Sequence, residues 1–599
     1  MTLSTLDWSI IAAFFAISLA IGLIVSRRAG QSYQEFFLSG RGMPWWLLGV
    51  SMVATTFSAD TPNLVTDIVR NNGIAGNWVW WAFLLTGMLT VFVYAKLWRR
   101  SGILTDLEFY ELRYHGKAAA FLRGFRAVYL GLFFNVMIMA TVTLAAIKIG
   151  GVMLGLSPWE TVLISSVIVV LYTSLGGLRG VILTDFFQFA LAMGGIIWAA
   201  VVVVNLPQVG GLEQLLAHPN LEGKLNLLPD FSDSEQLVPL FILPLAVQWW
   251  SVWYPGAEPG GGGYIVQRML SAKDENNAVG ATLLFNIAHY ALRPWPWILI
   301  ALASLVVFPD LESLKMAFPN VSENVVKDDL AFPAMLTFLP TGLLGLVVAS
   351  LIAAFMSTLS THLNWGASYL VHDFYRRFIH EAAEEQTLVR VGRLSTVALM
   401  AFTALFALAL DNALQAFNIL LQIGAGTGLI FILRWFWWRI NAYSEIAAMA
   451  ISFLMAIYLE LIHPGGLESH TKLLLGVSVT TAGWLAVTFL TPPTPQHRLL
   501  SFYQLIKPAP GGWQPVIEQG LQDGTLSRKA LRPGRLPLEI AAMLIACLMV
   551  YAALFATGFW IYGNTLAGSI ATGTALVSAG VLYGIWKKLP PQTENSESV

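Results

Sequence analysis

Fifteen apolar stretches of membrane-spanning length recur along the chain, near 8–25, 45–70, 78–98, 124–154, 159–176, 180–204, 237–256, 278–308, 331–372, 391–410, 414–438, 443–462, 470–491, 537–561 and 564–586. Nothing else in the sequence restricts the fold as much. Hydrocarbon offers no water to backbone N–H and C=O groups, so a segment at that depth must pair them in a helix or a closed barrel. A membrane strand needs only about 9–11 residues, whereas these runs approach the ~20 that a helix requires. The expected class is an all-α integral membrane protein with about 15 transmembrane helices. Composition agrees, with 56% hydrophobic and 12% charged residues and a mean hydropathy of +0.66. The 22 Trp and 35 Phe suit interfacial belts and a tightly packed bundle. A net charge of −1 gives no reason to expect nucleic acid as a partner. The single cysteine, Cys547, excludes an intramolecular disulfide and a cysteine-based metal site. The first stretch does not read as a signal peptide, because no basic region precedes it and Arg27 and Arg28 follow it.

Positive charge fixes the expected orientation. With the N-terminus outside, the inside segments hold 27 Lys and Arg, the outside segments hold 6, and Arg293 lies within a span. The C-terminus is then cytoplasmic, in a multi-pass protein of the plasma (inner) membrane. The outside loop 205–236 is acidic and contains glycine, which fits a partly ordered cap. The inside segment 492–536 reads as a solvated linker with a short helix on the membrane surface, and the tail 587–599 reads as disordered.

Two spans are interrupted. In the second, Thr55, Thr56, Ser58, Asp60 and Pro62 follow the apolar half 45–53. In the seventh, Pro255, Pro259 and four glycines at 260–263 break the run. Unwound backbone is tolerated at membrane depth only where it is buried or lines a cavity. The two breaks lie five spans apart, as an inverted repeat of five plus five helices predicts, each half opening with a discontinuous helix.

Within the ninth span the stretch 349–369 is apolar at both ends but carries Ser357, Thr358, Ser360, Thr361 and Asn364 in its middle. At about 100° per residue, Ala354, Ser357, Thr358 and Thr361 share one narrow face. Uncharged oxygens suit a small hard monovalent cation, whereas a divalent ion would normally demand carboxylates. The competing reading is close helix packing, with the hydroxyls bonded back to their own i−4 carbonyls. Asp60, Asp185, His289 and Arg293 also lie within spans, where unpaired charge is costly. His362 and His372 have no second His or carboxylate at metal spacing. No nucleophile–base set or phosphate-binding glycine loop stands on a plausible scaffold, so an enzyme is not expected.

The motifs AAFMSTLSTHLNWGAS (353–368), GGLRGVILTDFFQ (176–188), YIVQRMLSAKDENNA (264–278), LTDLEFYELRY (104–114), GMPWWLLGVSMVATTFSA (42–59) and RWFWWRINAYSE (434–445) stand in the order and spacing of a known family. Over roughly residues 5–465 the chain resembles the sodium:solute symporters, which include sodium/proline, sodium/glucose and sodium/sialic acid cotransporters. The resemblance implies a leucine-transporter-like inverted repeat preceded by one extra helix. It makes 1–465 the transport domain, with 8–25 the extra helix, 45–204 the first repeat and 237–438 the second. An additional helix at 466–491 and two C-terminal helices within 537–586 would follow. The implied main sodium site uses backbone oxygens of Ala54, Phe57 and Ala354 with the hydroxyls of Ser357 and Thr358. A second sodium, used by some members, would meet Asp185, Ser357, Ser360 and Thr361. No organic cofactor and no obligate protein partner are implied beyond the small-molecule solute and the bilayer.

In sugar-transporting relatives the solute site takes the broken second span, an aromatic pair, a cation in the eighth span and polar groups in the eleventh. The matching positions are Thr56 and Thr61, Trp253 with Tyr254, Arg293, and Gln422. Asp60 and the long break YPGAEPGGGG depart from that pattern. A carboxylate at Asp60 and a guanidinium at Arg293 facing one cavity would complement a zwitterion. The expectation is therefore sodium-coupled uptake of an amino-acid-like or carboxylate solute, with a sodium/sugar-type symporter as the alternative. In the gate alternative Asp60 and Arg293 pair with each other. A transporter-like membrane sensor is disfavoured because the chain ends thirteen residues after the last span.

Overall fold

The computed structural model describes residues 3–56, 58–251, 258–319, 326–410, 422–463, 465–527 and 534–589. Among these residues the fold is all-helical, and the one β-type pairing is an isolated bridge between Met43 and Ala272. Among the described residues, eleven helices are long and apolar enough to cross a membrane. The elements used below are α1 (Thr5–Ala29), α2 (Trp45–Thr56), α3 (Thr61–Asn72), α4 (Ile74–Ser101), α5 (Gly116–Ile147), α6 (Pro158–Val204), α7 (Gly263–Ser271), α8 (Glu275–Val307), α9 (Leu343–Ile379), α10 (Glu385–Ala409), α11 (Ala442–Glu460), α12 (Ser469–Leu490), α13 (Gln496–Ile506), α14 (Gln514–Gln522), α15 (Leu536–Ile561) and α16 (Thr565–Trp586).

The 47 residues of α6 would make a rod of about 70 Å, more than twice the hydrocarbon thickness. The helix instead changes direction at Gly177, where φ is 52° and ψ is −160°. Its missing side chain is required, since a Cβ there would lie 2.6 Å from the Phe36 carbonyl oxygen. The two arms match the expected spans 159–176 and 180–204, and the second arm carries Asp185.

Both expected interruptions are present. The second span splits into α2 and α3 across residues 58–60, with Pro62 in the opening turn of α3. In the seventh, Trp249–Ser251 are helical, the described residues 258–262 are not, and the helix resumes at α7. Gly260 and Gly261 sit at φ 81° and 97°, conformations open to glycine without steric cost. The Trp98 indole donates to the Gly260 carbonyl at 2.7 Å and fixes the unwound segment. Met43 ahead of α2 and Ala272 after α7 meet in the isolated bridge, so the entry to one broken helix lies beside the exit from the other.

Helix α9 runs through the middle of the bundle, with the residues of its Leu343–Ser368 part almost all buried. It packs on α2, on α7 and on the second arm of α6, the elements that deliver the candidate site. The 205–236 loop docks on the start of α4 and on α3. Trp78 donates to the Leu227 carbonyl at 3.0 Å, and the Lys224 ammonium donates to the Arg70 and Asn71 carbonyls at 2.9 and 2.7 Å.

One expectation needs correction. The described part of 492–536 is not a solvated linker. Its α13 and α14 flank Trp513, which is fully buried, stacks on Phe502 and donates to the Trp435 carbonyl at 3.0 Å. Composition misled here because proline and glycine mark the turns of this compact piece while a few aromatic residues anchor it. Residues 590–599 of the expected disordered tail lie outside the described residues.

Candidate functional site

The hydroxyl face of α9 meets the end of α2 at the first break. Thr358 Oγ1 donates to the Thr55 carbonyl at 2.8 Å and lies 3.2 Å from its own i−4 carbonyl, Ala354. Thr361 Oγ1 and Thr55 Oγ1 share a hydrogen bond of 2.9 Å. Helix α2 stops in the protein interior, so the carbonyls of its last turn are orphaned and carry the negative end of the helix dipole. Arg293 serves two of them, donating to Val53 at 3.1 Å and Thr56 at 3.0 Å. Ala54, beside these groups, is 3% exposed, as is Ala354. Phe57 lies outside the described residues.

These atoms fit a sodium ion. They are hard, uncharged oxygens of buried residues from a helix end and a facing helix, with Thr358 Oγ1 within hydrogen-bond reach of both the Thr55 and Ala354 carbonyls. Both readings of the serine and threonine face are partly realised. Ser360 bonds back to the Ser357 carbonyl at 3.0 Å, whereas Ser357 and Thr358 turn to neighbouring elements.

Asp185 lies next to this cluster and is fully buried. One carboxylate oxygen accepts from Ser357 Oγ at 2.6 Å and the other from Ser51 Oγ at 2.5 Å. Its counter-ion is Arg268 of α7, also fully buried, at 3.5 Å. Arg268 further donates to Ser51 Oγ at 3.0 Å, Thr55 Oγ1 at 3.3 Å and Thr361 Oγ1 at 2.7 Å. The guanidinium therefore holds two of the four groups expected for a second sodium, Asp185 and Thr361. The charge count places Arg268 among the inside segments; Thr55 reads only as part of the break in the second span, and Ser51 is not singled out. The serine and threonine were visible as an i, i+4 polar pair in an apolar helix. The nine-residue α7, following a glycine run, is too short to read as membrane-embedded.

The expected solute residues are less convergent. Thr56 Oγ1 bonds back to the Met52 and Val53 carbonyls, at 3.1 and 3.0 Å. Asp60 and Thr61 stand at the N-terminal end of α3, with Asp60 half-buried. Besides the α2 carbonyls, Arg293 meets His289 Nδ1 and lies over the Trp297 ring at 5.2 Å. A wide turn at Ala288–Leu292 and the prolines that open the next stretch set it at this junction. Gln422 does not turn towards these groups in its hydrogen bonding: its amide donates to the Lys472 carbonyl of α12 at 3.4 Å. Trp253 and Tyr254 lie outside the described residues. His362 is satisfied by Asn135, Nδ1 to Oδ1 at 2.7 Å, and so serves helix packing.

On the Lys/Arg-rich side of the bundle, ionic contacts fasten α7 and α9 to the α4–α5 connection. Arg123 pairs with Asp373 and Glu111, both at 2.7 Å, and with Glu108 at 3.3 Å. Arg126 pairs with Glu258, and Glu108 with His372. Asp106 accepts from the Gly263 amide at 3.1 Å and from the Tyr369 hydroxyl. Burial, then the nearby Glu258 charge, pushes the Asp106 carboxyl up to about 7. Burial works against ionised Glu108 too, but His372 and Arg123 outweigh it and hold Glu108 at about 2. On the opposite side, Arg70 of α3 ties to Asp328 at 2.7 Å and to the Phe308 carbonyl at 2.8 Å.

The description "sodium:solute symporter family" matches residues 36–452. The sodium/glucose cotransporter of Vibrio parahaemolyticus is 26% identical over 476 residues, covering 76% of this chain and 86% of that protein. The sodium/mannose cotransporter SLC5A10 of Bos taurus is 26% identical over 499 residues, covering 77% and 80%. Among solved structures, a Na+-coupled sialic acid symporter in a substrate-bound outward-open state superposes with a TM-score of 0.64 at 20% identity, covering 82% of this chain and 99% of that one. That likeness concerns the fold. The relatives named are transporters and not enzymes, and the span of the match settles the assignment: the chain belongs to the sodium:solute symporter family, as a multi-pass membrane protein of sodium-coupled solute transport.

Proposed function

We propose that this protein drives uptake of a small polar organic solute with sodium bound at the α2–α9 junction through Ala54, Phe57, Ala354, Ser357 and Thr358. The observation that carries the reading is the approach of the α9 hydroxyls to the broken end of α2, with Thr358 Oγ1 2.8 Å from the Thr55 carbonyl. Asp185, Ser357, Ser360 and Thr361 form the second sodium site, with Arg268 as the cation that leaves it when sodium enters. Two ions matter energetically. At about 100 mV and a tenfold gradient each supplies roughly 2.3 + 1.4 kcal/mol, so two support about 7 kcal/mol of uphill work.

For the solute, the geometry favours a hydroxyl-rich neutral molecule over the zwitterion. Arg293 has committed two donors to the Val53 and Thr56 carbonyls, so clamping a solute carboxylate would uncover the end of α2. The named relatives transport glucose and mannose, which supports the same choice. Uptake into proteoliposomes should be compared for neutral sugars, zwitterionic amino acids and carboxylates, with sodium or potassium outside. Sodium-dependent accumulation of a neutral sugar is expected. Accumulation confined to zwitterions or carboxylates, lost in Arg293→Lys, would restore the clamp. No sodium dependence for any accumulated solute would defeat the coupling itself.

A further inference from the structure

Where α4 ends and α15 begins, a cavity lies between the bundle and the folded 496–527 segment. Its charged lining is Lys96, Arg100, Lys507, Arg535 and Glu539. A second cavity shares Lys96, Arg535 and Glu539 and adds Glu275. Two of the cations are neutralised in place. Lys96 pairs with Glu539, and Arg100 holds Glu275 through two bonds of 2.9 and 3.0 Å while donating to the Ile506 carbonyl at 2.6 Å.

Lys507 and Arg535 are the surplus. Among the described residues neither makes an ion pair, and Arg535 meets only the Lys588 carbonyl, at 3.5 Å. Lys507 also adopts φ 50° at the end of α13, a conformation that glycine takes freely and lysine does not.

The location adds a second element. Lys96 and Arg100 occupy the last turns of one membrane helix, and Arg535 immediately precedes another, so the site lies at the edge of the hydrocarbon. Its remaining wall includes the apolar Leu97, Phe436 and Leu536 together with Tyr503. Two unmatched cations above an apolar wall at helix ends are what a phosphate-bearing amphiphile requires.

We propose that this cavity binds a phosphate anion carried by an anionic phospholipid of the adjoining leaflet, with Lys507 and Arg535 as its ligands. The inference is independent of which solute is transported.

Native mass spectrometry of the full chain, titrated with phosphatidylglycerol or phosphatidylcholine, tests it. Each cation near the surface is worth about fivefold in affinity, so Lys507→Gln with Arg535→Gln should weaken phosphatidylglycerol binding about 25-fold. Phosphatidylcholine binding should be weak and unchanged, and Lys507→Arg with Arg535→Lys should restore the parent affinity. Both side chains are exposed, so the variants should keep the parent melting temperature. Inorganic phosphate failing to displace the lipid supports a headgroup site. Displacement with the same dependence on the two residues keeps the anion site but overturns the lipid as its source. Equal phosphatidylglycerol affinity in parent and neutralised variant, or equal affinity for the two lipids, overturns the proposal.

Discussion

Asp185 and Arg268 are both fully buried, and removing one partner of such a pair typically costs about 3–5 kcal/mol because the other is left uncompensated. Arg268→Gln alone should therefore lower the melting temperature, and adding Asp185→Asn should recover most of the loss. A double variant no more stable than Arg268→Gln would show that the pair is not what the arginine serves. If Asp185 also receives a second sodium, Asp185→Asn in active protein should reduce the charge moved per solute at fixed potential. An unchanged ratio counts against the second ion. Asp185 was legible from sequence because a lone carboxylate in an apolar run has to be accounted for. Arg268 was not legible, since its depth depends on how α7 folds back behind the glycines. Arg293 was legible as a buried cation, but its use was not: sequence does not reveal which backbone carbonyls a helix break leaves bare.

At the level of elements, Gly177 and Trp513 are the positions where one residue decides a connection. Gly177→Ala would place a Cβ 2.6 Å from the Phe36 carbonyl at positive φ, costing about 1–2 kcal/mol in backbone strain before the clash. Folded yield should fall sharply, and normal yield and stability would refute the change of direction of α6 at Gly177. Trp513→Ala should destabilise the docked 496–527 segment by about 3–5 kcal/mol and release it to protease, with the membrane helices retained. The fastening around Asp106 has a sign that can be checked. Its carboxyl titrates near 7 in the folded protein against an ordinary 3.8, so the native state holds a proton that the unfolded chain has released between those values. Stability from this group accordingly declines as pH rises through that window, and is lost above 7. The melting temperature should drop as pH rises from about 4 to about 7, and Asp106→Asn should flatten that drop; an unaltered slope would clear Asp106. The helix breaks were readable in advance because proline, glycine and polar residues interrupt runs that lipid would otherwise keep apolar. The packing of 492–527 was not, because a few buried aromatics outweigh a polar composition only once their partners are known.

Across the whole molecule, the expected orientation places α13 and α14 in the cytoplasm and the 205–236 loop outside. With Cys547→Ser as background, Ser4→Cys should react with an impermeant maleimide on intact cells and Thr525→Cys only after permeabilisation; the opposite pattern would invert the topology. Burial and breaks together centre the protein on α9, whose polar face is nearly all inside the bundle. Coupling to sodium requires that this face hold the driving ion. The most direct measurement is the sodium concentration for half-maximal uptake in proteoliposomes of the parent, Ser357→Ala and Thr358→Ala proteins. Each substitution removes one oxygen from a buried cation, and the half-maximal concentration should rise about tenfold, equivalent to about 1.4 kcal/mol, with insertion intact. An identical sodium dependence in all three proteins would contradict the assignment of the driving ion to this face.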